Sequence, residues 1–172
     1  MEYVILFCRC SLIGIFLWAV VGKLRDFQGF IGTVNSFRLL PMSLGKSVAV
    51  LSITAEVSVV LLLVFAQPGF IYGFSLATML LAVFTCAMLS AMQRGLQIGC
   101  NCFGKKRSVI GFADIVRNVG MLAVSGIGCV LSIKGVGHQS LPIAEAIVVG
   151  LFAVTASFMW IQLKELLYLF RL

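Results

Sequence analysis

Charge is what this sequence has least of. Only 11% of its 172 residues are Asp, Glu, Lys or Arg, whereas 61% are hydrophobic. Soluble domains devote about a quarter of their residues to charge, so this chain lacks the polar surface to cover a water-facing globule. Acidic residues are scarcer still, 6 against 13 basic ones, and the single histidine, His138, has no set of ligand-type neighbours. No metal centre is therefore expected. A cleaved signal peptide is not expected either, because Met1-Glu2-Tyr3 has no positive leader and Arg9 breaks the first apolar run. Internal repeats, low-complexity tracts and linkers are lacking, so residues 1–172 read as a single membrane domain. The formal charge of +7 would suggest nucleic acid in a soluble chain. In a membrane chain it has a simpler meaning, since basic residues collect in cytoplasmic loops. A lipid bilayer is the expected partner and nucleic acid is not.

What the chain does have is apolar length. Five segments are long enough to cross roughly 30 Å of hydrocarbon: about 3–22, 47–66, 70–92, 111–133 and 142–163. The expected fold is an all-α integral membrane protein, a bundle of about five transmembrane helices. Between the first two spans, Leu24, Phe27, Ile31, Val34 and Phe37 recur every three or four residues and mark one helical face. With Lys23, Arg25 and Arg38 nearby, this predicts an interfacial helix that Leu39-Leu40-Pro41 ends. Basic residues set the orientation. The first connection, the loop near residue 100 and the C-terminal tail hold eleven of the 13, whereas Arg9 and Lys134 lie on the other side. That bias predicts an inner-membrane protein with the N-terminus outside and the C-terminus inside. The bias survives if Lys23 and Arg117 are buried in the bundle and excluded.

Six cysteines stand at 8, 10, 86, 100, 102 and 129, four of them as two Cys-x-Cys pairs. Cys100 and Cys102 lie in Gly99-Cys100-Asn101-Cys102-Phe103-Gly104, followed by Lys105-Lys106-Arg107. A disulfide across one residue is tight, and strained disulfides exchange readily. The glycines can adopt positive φ, and the basic cluster favours the reactive thiolate. The competing reading is two idle loop thiols. Cys8 and Cys10 are weaker redox candidates, because alternate residues on a helix point about 200° apart. Cys86 and Cys129 are mid-span and read as packing residues.

Glu56 is the other residue that needs an explanation, because a carboxylate inside a span is costly and usually has a partner or a function. Arg117 lies about 8 Å from the cytoplasmic edge of its span and Glu56 about 15 Å from the same edge of its own, within reach of an extended arginine. Arg9, entering from the far side, is the alternative partner. If Arg117 instead pairs with Asp114 three residues back, Glu56 is left protonated. The expected buried polar cluster comprises Arg9, Lys23, Glu56, Arg117 and Asn118.

In order, an early arginine (Arg9), Gly22-Lys23-Leu24, Arg38-Leu39-Leu40-Pro41, Glu56, Arg94-Gly95, the GCNCFG motif and Arg117-Asn118 resemble the MauE family of methylamine-utilisation membrane proteins, within the wider DoxX-like group. The resemblance covers roughly residues 3–134. It implies a four-helix DoxX-like core, to which the span at about 141–163 adds a fifth helix. It also implies thiol-disulfide handling: Cys100 and Cys102 as the redox pair, a thioredoxin-like partner, and an exported disulfide-containing substrate, as in maturation of the methylamine dehydrogenase small subunit. No bound cofactor is expected, with a quinone as the candidate electron carrier. One tension stands. Disulfide maturation belongs outside the cytoplasm, yet charge places the cysteine loop inside. Two other readings remain open, a non-catalytic assembly subunit and a small-solute or proton pathway around Glu56.

Overall fold

The fold is taken from a computed structural model that describes residues 1–38, 41–66, 69–96, 99–100, 108–109, 111–135 and 142–162, with the backbone alone at 99–100 and 108–109. Each apolar segment becomes one long helix. The first, α1, runs Glu2–Arg25, three residues beyond the expected end, which draws Lys23 into the bundle. A short helix α2 follows, Phe27–Ser36, then a 3₁₀ turn at Met42–Leu44 and α3 at Gly45–Phe65. Next come α4 (Phe70–Gln93), α5 (Phe112–Ile133) and α6 (Ile143–Ile161). Counting the 3₁₀ turn with α3, five helices among the described residues are long and apolar enough to cross a membrane. Between α4 and α5, the two-residue strands β1 (Gly99–Cys100) and β2 (Ser108–Val109) pair antiparallel, Gly99 opposite Val109 and Cys100 opposite Ser108.

At ten residues α2 is only about 15 Å long, half the hydrocarbon thickness, and it packs chiefly on α3. Its inward face overlaps the expected one only in part, at Val34 and Phe37, which line an interior cavity. Phe30 and Thr33 are the buried positions, and Leu24 is exposed on α1. Asp26 interrupts the helix and restarts it. Its carboxylate accepts from the Gly29 N–H at 2.9 Å as an N-cap, and the new helix is rotated relative to α1. The end of α2 differs too. Arg38, at φ 49°, already turns the chain through the left-handed region, ahead of Leu39 and Leu40, which lie outside the described residues.

Inward stripes spaced by three and four residues assemble the bundle. On α1 the buried stripe includes Ile5, Cys8, Leu12, Ile15, Ala19 and Lys23; on α3 it is Ala49, Glu56, Val59, Val60 and Leu63. The α5 stripe is polar for a span: Asp114, Arg117, Asn118, Ser125 and Gly128 among Ile115 and Met121. Helix α1 is central, contacting α3, α5 and α6, while α4 packs on α3 and α5. Helix α6, the least buried span, lies against α1. There Trp18 meets Phe158 edge-on and Ser157 Oγ reaches the Ser11 carbonyl at 3.5 Å.

Helix stops and close approaches are written in particular glycines. Gly95, at φ 65°, ends α4 in a Schellman motif, with Leu96 N–H bonding Ala91 O and Gly95 N–H bonding Met92 O. This gives Arg94-Gly95 a structural reason. In α5, Gly128 lets the fully buried Phe74 ring of α4 press on the backbone. A Cβ there would lie 2.2 Å from Phe74 Cε1. Lipid supplies no hydrophobic force between helices, so such close packing carries much of their association.

Gly128→Val is expected to destabilise the bundle by about 1–3 kcal/mol through overpacking. Gly126→Ala, where a Cβ would meet nothing within 4 Å, should be neutral or stabilising by about 0.5–1 kcal/mol. Thermal unfolding of both variants in detergent checks the pair.

Candidate functional site

Elements converge on one buried charge pair. Lys23, in the last turn of α1, hydrogen-bonds and ion-pairs with Glu56 Oε1 on α3. Both side chains are almost fully buried, at 3% and 2% exposure. Lys23 Nζ also donates to Ser52 Oγ, one turn before Glu56, at 3.3 Å. The ammonium sits 4.8 Å from the ring centroids of Phe30 on α2 and Phe84 on α4, within cation–π range. An ammonium has three N–H donors, and here it meets two oxygens and two aromatic faces. Glu56 Oε2 is buried and accepts no hydrogen bond among the described residues.

The pair lines a partly open cavity of about 250 Å³ formed by residues of α1 to α5. Lys23, Glu56, Arg117 and Asn118 all face it, so four of the five residues expected in a polar cluster share one space. Arg9 does not. It lies at the other end of α3, where its guanidinium donates to the carbonyls of Leu63 and Val64 (2.5 and 3.0 Å) and stacks over Phe70 at 4.2 Å. That is favourable chemistry for a helix C-terminus.

The partner of Glu56 is therefore Lys23, not Arg117 or Arg9. Ending the first span at Gly22 put Lys23 in the connection, whereas the continuous helix carries it to the level of Glu56. Arg117 approaches Asp114 on its own helix at 3.5 Å. Asp114 in turn caps α5, accepting from the Gly111 N–H at 3.0 Å. Asn118 bridges to α4, donating to Leu81 O at 3.2 Å and Thr85 Oγ1 at 2.8 Å. The Arg117 carbonyl accepts from Trp160 Nε1 at 3.1 Å, tying α6 to the same turn. The sequence signal that could have found the Lys23 pairing was the spacing of Lys23 from Ala19, Phe16 and Leu12, which keeps it on the buried stripe of α1.

The cysteines divide. Cys8 is buried, Cys10 is half-buried, and neither is in a disulfide. Both lie on one turn of α1, so their thiols cannot face each other without unwinding it. Cys129 sits 3.7 Å from Ser75 Oγ and 3.8 Å from Thr78 Oγ1. Cys86 is exposed on the outside of α4 rather than packed, since its position falls off that helix's buried stripe. Cys100 belongs to β1 by its backbone. Asn101, Cys102, Phe103, Gly104 and the cluster Lys105-Lys106-Arg107 lie outside the described residues, as does His138. Phe37 and Leu96 pack against Met88, Ala91 and Ile115. This places the end of α2, the end of α4 and the start of α5 at one end of the bundle. Phe37 and Met88 also line the cavity. The connection that carries Cys100 thus emerges at the cavity's end, with at most about 14 Å of extended chain between Leu96 and Cys100.

Glu56→Leu alone is expected to cost about 3–5 kcal/mol, because it strands a buried ammonium. The double variant Lys23→Met/Glu56→Leu should recover most of that loss, since a well-packed apolar pair can replace an ion pair. Thermal or denaturant unfolding in detergent reads both.

Residues 1–131 match the family model described as Methylamine utilisation protein MauE. Over 120 residues the chain is 33% identical to the Methylamine utilization protein MauE of Paracoccus denitrificans, a match covering 68% of this chain and 63% of that relative. The chain thus spans less than two thirds of the relative's length. No solved structure matches it. With five spans, the buried Lys23–Glu56 centre and the Cys100 connection lying largely within the matched region, the chain belongs to the MauE family of multi-pass membrane proteins.

Proposed function

We propose that this protein is a membrane thiol-disulfide exchange component that works with a thioredoxin-like partner in maturing exported, disulfide-containing proteins. Methylamine utilisation, the role named for its relative, is the process this reading attaches it to. The observation that supports it is the backbone pairing of Cys100 with Ser108, in a connection that leaves α4 at Leu96, packed at the end of the bundle where Phe37 and Met88 line the cavity. In the proposed cycle, a Cys100–Cys102 disulfide accepts two electrons and two protons from a partner dithiol. The partner becomes a disulfide and the pair becomes two thiols. Reoxidation returns two electrons and two protons to a quinone, which leaves as hydroquinone.

Cys100→Ser and Cys102→Ser should each abolish a mixed disulfide with a thioredoxin-like partner whose resolving cysteine is removed, as read on non-reducing gels. Both should leave the bundle folded. Full function in cells for both variants would replace this reading with a non-catalytic assembly subunit.

The charge bias carries an orientation proposal, in which the cysteine connection faces the cytoplasm and the N-terminus faces outward. A membrane-impermeant maleimide should then label Cys100 in inverted vesicles and not in intact cells. Labelling in intact cells instead would place the exchange outside and remove the tension with disulfide maturation.

A further inference from the structure

The geometry points to the Lys23–Glu56 cavity as a binding site for a small neutral aromatic molecule carrying a hydroxyl group, with the hydroxyl donating to Glu56 Oε2. The inference stands on the cavity alone and does not depend on the thiol reading, although a hydroquinone is one member of the class.

Volume comes first. The space is about 250 Å³, larger than the roughly 150 Å³ engineered cavity that stays dry and takes up benzene. It has room for one substituted ring. The walls come second. Phe16, Phe30, Phe37 and Phe84 line it, and flat aromatic faces suit an offset or edge-on ring.

Charge comes third. Lys23 and Glu56 already neutralise one another. Arg117, the other ionic side chain on the wall, is paired with Asp114, and the rest of the lining is mostly apolar. A charged solute would lose its hydration without meeting an uncompensated counter-charge, so the occupant is neutral. The fourth observation is Glu56 Oε2, an acceptor on a residue 1% exposed, without a hydrogen-bond partner among the described residues. An unmade bond to a buried charged oxygen is expensive, and an O–H on the ring supplies it. A lipid acyl chain would fill the volume and leave that oxygen bare. Pockets of this kind, apolar with a few convergent polar atoms, are the usual form of small-molecule sites.

The test uses the full chain in lipid nanodiscs and two probes that differ only in the donor, 2,3,5-trimethylphenol and its methyl ether. Equilibrium dialysis against empty nanodiscs should show saturable binding of the phenol, with the ether weaker by about tenfold or more, the scale of one hydrogen bond to a charged group. Glu56→Gln should weaken the phenol by a similar factor and leave the ether unchanged. Because changing Glu56 can disturb folding, Ala87→Phe serves as a second variant. It fills the cavity from α4 and keeps both members of the charge pair in the sequence, and should abolish saturable binding while size exclusion and circular dichroism stay as in wild type. Binding in a Cys100→Ser/Cys102→Ser double variant should match wild type, which separates this site from the thiol chemistry. The proposal is overturned if neither probe binds saturably, if the ether binds as well as the phenol, or if Ala87→Phe binds like wild type. Water alone on Glu56 would produce the first of these results.

Discussion

A lysine ammonium and a glutamate carboxylate share the interior of a helical bundle, and the placement of four helices follows from keeping them together. A charge at membrane depth needs a partner. Lys23 of α1 finds Glu56 on α3 and a second oxygen at Ser52. Its remaining surface is covered by Phe30 of α2 and Phe84 of α4. Sliding α1 against α3 by one residue would move Lys23 by about 1.5 Å along the axis and 100° around it. The ammonium would then face neither the carboxylate nor the rings. The pair therefore sets the register of α1 on α3 and holds α2 as one wall of the cavity.

The α4–α5 seam solves a related problem with neutral groups. Thr78 Oγ1 donates to Ser125 Oγ at 2.9 Å, and Asn118 reaches Leu81 O and Thr85 Oγ1. Polar side chains buried between spans find each other because hydrocarbon offers them nothing. Gly128 adds close approach by admitting the Phe74 ring. The consequence for function is geometric. A polar stripe on α5 brings Arg117 and Asn118 to the cavity, while the N-terminus of the same helix receives the connection that carries Cys100. The cavity and the connection that carries Cys100 thus meet at one end of the bundle, where Phe37 and Leu96 pack on Met88, Ala91 and Ile115.

Two motifs of the family resemblance gain separate physical meanings. Arg94-Gly95 stops α4 through a left-handed glycine and two reciprocal hydrogen bonds, which sets where the cysteine connection begins. Arg117-Asn118 anchors α5 three ways. The guanidinium approaches Asp114, the amide crosses to α4, and the Arg117 carbonyl receives Trp160 from α6. Arg9, which also belongs to the pattern, works about two turns of α3 away from Glu56. It bonds the last carbonyls of α3, which no helical residue can satisfy.

The sequence by itself determined the membrane class, the five spans and the inward turn of Glu56. Each rests on a one-dimensional quantity: hydropathy over a length, or a period of three and four residues. It also determined that residues 24–37 hold a short amphipathic segment, though not that Asp26 divides it, leaving Leu24 exposed on α1 and turning Phe30 and Thr33 inward on α2. Only the tertiary structure decided what Glu56 pairs with. Lys23 lies 33 residues away in the chain, and its depth depends on where α1 ends. A three-residue extension of a helix moves a side chain by about 4.5 Å and by most of a turn, enough to exchange an interfacial lysine for a buried one. Sequence periodicity reports which face of a helix is inward, and only packing reports which other face it meets.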